Sequence, residues 1–218
     1  MASLQEIQAF ALSTLDTMTN GRIDVHIRQR MWASLGPVTD EKRLKTAADM
    51  TLGHRARAWL MCECLRSAIP EWDSDKARAN GEVLLDPRDE PASAIRYIEE
   101  WMAGRMLRED FVRHVERFQD LSFYLFELHE KYPNAELIAH ASRSALWVAA
   151  WDQASDYEDE YREEDNEVFP ADFMIAWLRA GTAPWDPDLG AAARRRAYWR
   201  WYIEDAFAQA WSIAYPNG

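Results

Sequence analysis

The chain is poor in residues that interrupt helices and in residues that staple small folds. Its 218 residues include eight glycines, nine prolines and two cysteines. The glycines and prolines fall between periodic segments rather than inside them, as in helices joined by short connections. No segment alternates with period two, and no Asn-Gly hairpin signal is followed by β-branched alternation, so strands are not expected. Asn20-Gly21 has helical pattern on both sides and reads as a helix end. Cys62 and Cys64 lie two apart within a helical pattern, where such neighbours point to different faces. They cannot easily close on one ion, and no nearby His pair completes a set, so they read as buried thiols in a reducing compartment. No run of about 18 apolar residues exists to span a membrane. The start, Met-Ala-Ser-Leu-Gln-Glu, lacks the basic residues and apolar stretch of a secretory signal, and a cytoplasmic location is expected.

Catalytic motifs are missing as well. There is no Gly-x-Ser-x-Gly, no P-loop and no Gly-x-Gly-x-x-Gly. Of the histidines, His26, His54, His114, His129 and His140, none belongs to a His-Glu-x-x-His set, and His129-Glu130 has no second His four residues on. His114 and Glu116 do not share a helix face. No catalytic residue, metal site or cofactor is expected, and the chain reads as a binding protein rather than an enzyme. A net charge of −12 repels nucleic acid and anionic lipid and attracts a basic partner.

What is present is helical periodicity. The length suits one domain, although two small ones would fit. The expected fold is all-α, a single compact domain over residues 1–218 with about eight to ten helices and short loops. Ser3 with Glu6 forms a capping box for the first helix, whose stripe is Leu4, Ile7, Ala11, Leu15 and Met18. A second helix is expected from Asp24 to Leu35, stopping at Gly36-Pro37. Asp40 is read as the cap of a third through Met50, and Thr51 as the cap of a fourth that ends before Pro70. A helix around Ser74 to Leu85 and one capped by Ser93 and ending near Gly104 follow. Between Leu107 and Tyr132, Phe111, Val115, Phe118, Ser122, Leu125, His129 and Tyr132 recur at spacings of four and three, a long core-facing helix. Pro133 stops it, and Asn134 is read as the cap of a helix through Asp152, with Ala141, Ala145 and Ala149 as a close-packing face. Helices over Pro170 to Ala180 and Ala191 to Trp211 complete the chain, separated by a loop from Gly181 to Gly190.

Three features stand out of this frame. The first is acidic: Asp156, Glu158, Asp159, Glu160, Glu163, Glu164, Asp165 and Glu167 face only Arg162. These twelve residues carry −7 of the net −12. Such crowding is self-repelling unless salt, a helix N-terminus or a partner relieves it. It reads either as a solvated extension or as a docking surface for a basic partner. The run lacks the glycine of an EF-hand loop. Tyr157 and Tyr161 lie within it one helical turn apart, and Tyr contributes much contact area at low entropy cost. The second feature is eleven tryptophans, among them Trp147 and Trp151, and Trp199, Trp201 and Trp211 beside Tyr198, Tyr202 and Phe207. They read as core side chains, with an aromatic ligand pocket as the alternative. The third is Arg194-Arg195-Arg196 with Arg200, read as a structural ion-pair cluster in which Arg196 and Arg200 share a face with Glu204, with the acidic segment as a further candidate partner.

The run Arg195-Arg196-Ala197-Tyr198-Trp199-Arg200-Trp201-Tyr202-Ile203-Glu204-Asp205-Ala206 resembles the closing signature of an all-helical family of bacterial immunity proteins, immunity family five, encoded beside polymorphic toxins. The stretch Arg55 to Cys64 followed by Pro70-Glu71-Trp72, and Ala94 to Gly104 with Tyr97-Ile98 and Trp101, are similar to that family's other helices. The resemblance covers the chain from about residue 40 onward. It departs from the pattern at Phe207, where the family has proline, and in its long acidic insertion. The resemblance implies neutralisation of a cognate toxin by binding, with no catalytic residues to carry over. The expected partner is a basic toxin domain such as a nuclease, bound by a monomer or weak homodimer through Asp156, Tyr157, Glu158, Asp159, Glu160, Tyr161, Glu163, Glu164, Asp165 and Glu167. Neither nucleic acid nor membrane is an expected partner. The alternative reading is a helical small-molecule binder or enzyme with a Trp-lined pocket.

Overall fold

A computed structural model describes residues 2–72, 90–126, 133–152, 170–182 and 188–216. These residues form nine α-helices and, among them, no strand: α1 (Leu4–Thr17), α2 (Val25–Ser34), α3 (Leu52–Ser67), α4 (Pro91–Met102), α5 (Arg108–Phe126), α6 (Pro133–Trp151), α7 (Ala171–Ala180), α8 (Leu189–Trp201) and α9 (Phe207–Ala214). The all-α expectation holds.

The caps explain most of the boundaries. Ser3 and Glu6 form the capping box of α1, the Ser3 N–H donating to Glu6 at 2.7 Å. Asp24 accepts from the His26 N–H to start α2, and Thr51 accepts from the His54 N–H to start α3. The helix expected from Asp40 to Met50 does not form. Asp40 caps only a turn, through the Lys42 N–H, and Asp49 captures the N–H groups of Lys45 and Thr46. The apolar residues there, Leu44, Ala47 and Met50, are buried at a spacing of three. That spacing suits the single 3₁₀ turn at Ala47–Asp49, not an α-helix. Ser93 is not a cap either. Pro91 occupies the first turn of α4, Glu90 is the N-cap, and Ser93 lies inside the helix, buried. Likewise α6 includes Pro133, so Asn134 lies within its first turn. The last helix begins at Leu189 on the Asp188 cap, two residues before the expected start. The expected helix around Ser74 to Leu85, and the side chains of Leu125, His129 and Tyr132, lie outside the described residues.

α3 and α6 are the centre. α6 packs on α3, α4, α5 and α7, and α3 packs on α4, α6, α7 and α9. Ala141, Ala145 and Ala149 are wholly buried along α6 and let its neighbours approach closely. Phe111, Val115, Phe118 and Ser122 point α5 inward as its periodicity predicts. Ten of the eleven tryptophans fall in the described part. Trp32, Trp72, Trp101 and Trp199 are buried, and the other six pack part-buried against the core. This is the core reading of the aromatics.

α8 does not stop at Trp201. It runs through a π-helical turn, Tyr202–Ala206, into α9 as one rod. A π turn releases backbone carbonyls from the regular ladder. The Gln8 side-chain amide on α1 takes up the slack, donating to Ile203 O at 2.8 Å and Glu204 O at 3.3 Å. Inside that turn the Trp32 indole N–H donates to the Tyr202 hydroxyl at 2.7 Å, tying α2 to the rod.

Candidate partner-binding site

All ten positions expected to contact a partner, the six from Asp156 to Tyr161 together with Glu163, Glu164, Asp165 and Glu167, lie outside the described residues. The two ends of the connection that carries them are described, and each is held by a buried ion pair.

At the near end, α6 closes on Asp152, which adopts left-handed backbone with φ of 54°. Asp tolerates this region better than most side chains, yet it remains sparsely populated. The reason is its carboxylate. It accepts from Arg57 Nε at 2.6 Å, Arg57 Nη2 at 2.8 Å and the Thr39 N–H at 2.7 Å. Arg57 also donates to the carbonyls of Trp32, Gly36 and Pro37 at 3.1–3.2 Å, so all five guanidinium N–H groups are used. The His54 ring completes the cluster between Thr39 Oγ1 at 3.0 Å and Val148 O at 2.8 Å. Burial holds the His54 pKa below its ordinary value, against the pull of Asp152.

At the far end, Asp172 sits in the first turn of α7, fully buried. It accepts from Arg28 Nη1 at 3.0 Å and from the Phe173 N–H at 2.8 Å. Burial pushes its carboxyl above the usual range, while Arg28, the Phe173 amide and the Tyr202 hydroxyl pull the other way. The Arg28 guanidinium lies over the Phe173 ring at 5.4 Å and the Trp199 ring at 5.8 Å. The connection between α6 and α7 therefore starts and finishes at fixed points. Around the first of them, Val38 and Leu52 are about half exposed, flanking the Thr39–Thr51 hydrogen bond of 2.9 Å.

The arginines do something the sequence did not announce. Arg194 donates to Ala180 O at the end of α7, Arg195 to Asn20 O and Arg196 to Met18 O at the end of α1. Arg179 donates to Ser67 O at the end of α3, Arg55 to Met102 O at the end of α4, and Arg108 to Ala150 O in the last turn of α6. With Arg57 at the end of α2, arginines cap the carbonyl ends of six helices from outside them. Those ends carry unpaired carbonyls and partial negative charge. The expected ion-pair cluster is corrected in part: Arg200 pairs with Asp16 at 2.5 Å and more loosely with Glu204 at 3.8 Å. Arg194 and Arg196 serve main-chain oxygens on neighbouring helices.

The family profile Immunity protein Imm5 matches residues 10–209 of the 218. The chain belongs to the Imm5 immunity protein family. The Imm5 match takes in both anchored ends of the α6–α7 connection, the cross-helix arginines and the π turn. No curated protein matches the chain.

Other candidates resolve into structure. Cys62 and Cys64 are free and buried, and burial raises both thiols far above reactive range. His114 stacks on Tyr97 with ring centroids 3.6 Å apart, and His26 pairs with Gln29 at 3.3 Å. Among the described residues no group of three His, Cys, Asp or Glu side chains could hold a metal ion. No helix among them is long and apolar enough to cross a membrane.

Proposed function

We propose that this immunity protein binds and neutralises a cognate bacterial toxin domain, a basic one such as a nuclease, covering its active site with the acidic surface between α6 and α7. It is a non-enzymatic inhibitor. The observation that carries the reading is the pair of buried anchors, Arg57–Asp152 and Arg28–Asp172, on either side of a segment holding −7 within twelve residues. Ends fixed in this way reduce the ordering that binding must supply. Concentrated negative charge raises the encounter rate with a basic surface and excludes wrong partners.

The test has two stages. Affinity purification from the native cell is expected to recover a basic toxin domain in stoichiometric amount. Recovery of the chain alone removes the reading. Replacing the eight acids from Asp156 to Glu167 with Ser is then expected to leave helicity intact and to slow association, most visibly at low salt. Unchanged association would move the contact surface elsewhere.

A further inference from the structure

On the α7–α8 face, an open cavity of about 470 Å³ is lined by Ser67, Arg179, Arg194, Ala197, Tyr198 and Trp201. Its volume is that of a pocket for a side chain or small ligand. Its lining differs in kind from the acidic segment. Tyr198 and Trp201 form an aromatic wall, their ring centroids 5.5 Å apart and tilted by 44°. Two guanidiniums stand beside them. Arg179 is engaged by Glu71 and by Ser67 O. Arg194 donates through Nε and Nη2 to Ala180 O, at 3.0 and 2.6 Å, and has no carboxylate partner among the described residues. Its Nη1 makes no hydrogen bond among the described residues and lies beside Gly190, near the Asp188 carboxylate, and its position is fixed by the bonds to α7. In a chain with 37 acidic residues against 25 basic ones, an arginine held by main-chain bonds and making no ion pair among the described residues is a candidate binding group. Trp, Tyr and Arg around a cavity are also the side chains that dominate protein interfaces.

We propose that this cavity is a second contact surface for the protein partner, taking one of its Asp or Glu side chains. The carboxylate meets the free edge of the Arg194 guanidinium, and apolar atoms beside it rest on Trp201 and Tyr198. An arginine fork matches a carboxylate in geometry as well as charge. The inference rests on the toxin-binding reading above, but it places a contact on residues other than those of the acidic segment and reverses its sign. An acidic segment and an arginine pocket on one molecule fix the orientation of a partner that carries both charges, which a single patch does not.

The experiment uses the full chain and the toxin domain recovered with it by affinity purification, catalytically silenced, measured by surface-immobilised binding kinetics. Ala197 lies in the lining on an exposed helix position, so Ala197→Trp fills the cavity without touching the core. Ala197→Trp and Arg194→Glu are each expected to weaken binding at least tenfold, mostly through faster dissociation, and Arg194→Lys less. The melting temperature of Ala197→Trp is expected to match the parent. If Ala197→Trp and Arg194→Glu both bind like the parent, the pocket is not a contact. If Ala197→Trp weakens binding and a folded Arg194→Glu does not, the carboxylate assignment is wrong. No binding by the parent chain would instead overturn the toxin-binding reading itself, and this inference with it.

Discussion

Asp152 and Arg57 meet through two hydrogen bonds of 2.6 and 2.8 Å, both side chains sealed from solvent, across 95 residues of sequence. The pair closes α6 and the loop after α2 in one stroke. Removing one partner strands a buried charge, which costs far more than the pair contributes net. Asp152→Ala is expected to lower unfolding stability by about 3–5 kcal/mol, measured by urea titration. Asp152→Asn keeps a residue tolerant of left-handed backbone but removes the charge. It is expected to recover little of that loss. Near-parent stability in Asp152→Asn would assign the residue's importance to the turn alone.

The Trp32–Tyr202 hydrogen bond gives a second prediction. Tyr202→Phe leaves the Trp32 indole N–H buried without its acceptor, at an expected cost of about 1–3 kcal/mol. Adding Trp32→Phe is expected to cost less than the sum of the two single changes, because the stranded donor goes too. A strictly additive double mutant would show that the bond contributes nothing specific.

Gly21 tests the α1–α8 contact. Its φ is +66°, and a Cβ there would sit 2.1 Å from the Ala192 carbonyl oxygen, a main-chain atom that cannot swing aside. Gly21→Ala is expected to cost about 3 kcal/mol or more. Thermal melting checks it, and a shift of only a degree or two would mean that the two elements separate freely.

Acid sensitivity follows from two histidines, His54 buried and His140 part-buried. Burial lowers the His140 pKa to about 4, and burial lowers His54 as well. The unfolded chain takes up these protons near pH 6.5 and the folded chain resists. Stability is therefore full above about pH 6.5 and falls as pH drops toward 4, by roughly 3 kcal/mol for His140. His140→Gln is expected to flatten that slope in part, leaving the His54 contribution. A slope identical to the parent's would contradict a neutral His140 in the folded chain.

Local chemistry was the legible part of this sequence. Ser3, Asp24 and Thr51 announced their helices because a cap acts within three residues, and Phe111 to Ser122 announced their face because periodicity is local too. Asp40 and Ser93 misled for the same reason. A capping side chain is only an offer, which the spacing of Leu44, Ala47 and Met50 and the proline at 91 overrode. The anchors at Asp152 and Asp172 were not legible, since each depends on an arginine more than ninety residues away. The cross-helix arginines were hidden likewise. Arg194-Arg195-Arg196 looks like a charge cluster until the ends of α1 and α7 are seen beside it. The family resemblance was carried by aromatic positions that the fold buries, Tyr198, Trp199 and Tyr202 among them.

An arginine that grips a main-chain carbonyl is indifferent to the side chains of the helix it holds. Six helices of this protein are braced in that way, so their mutual placement depends little on what their outer faces display. Substitutions on those faces can accumulate without loosening the frame. This separates the part of the protein that must stay constant from the part that is free to vary.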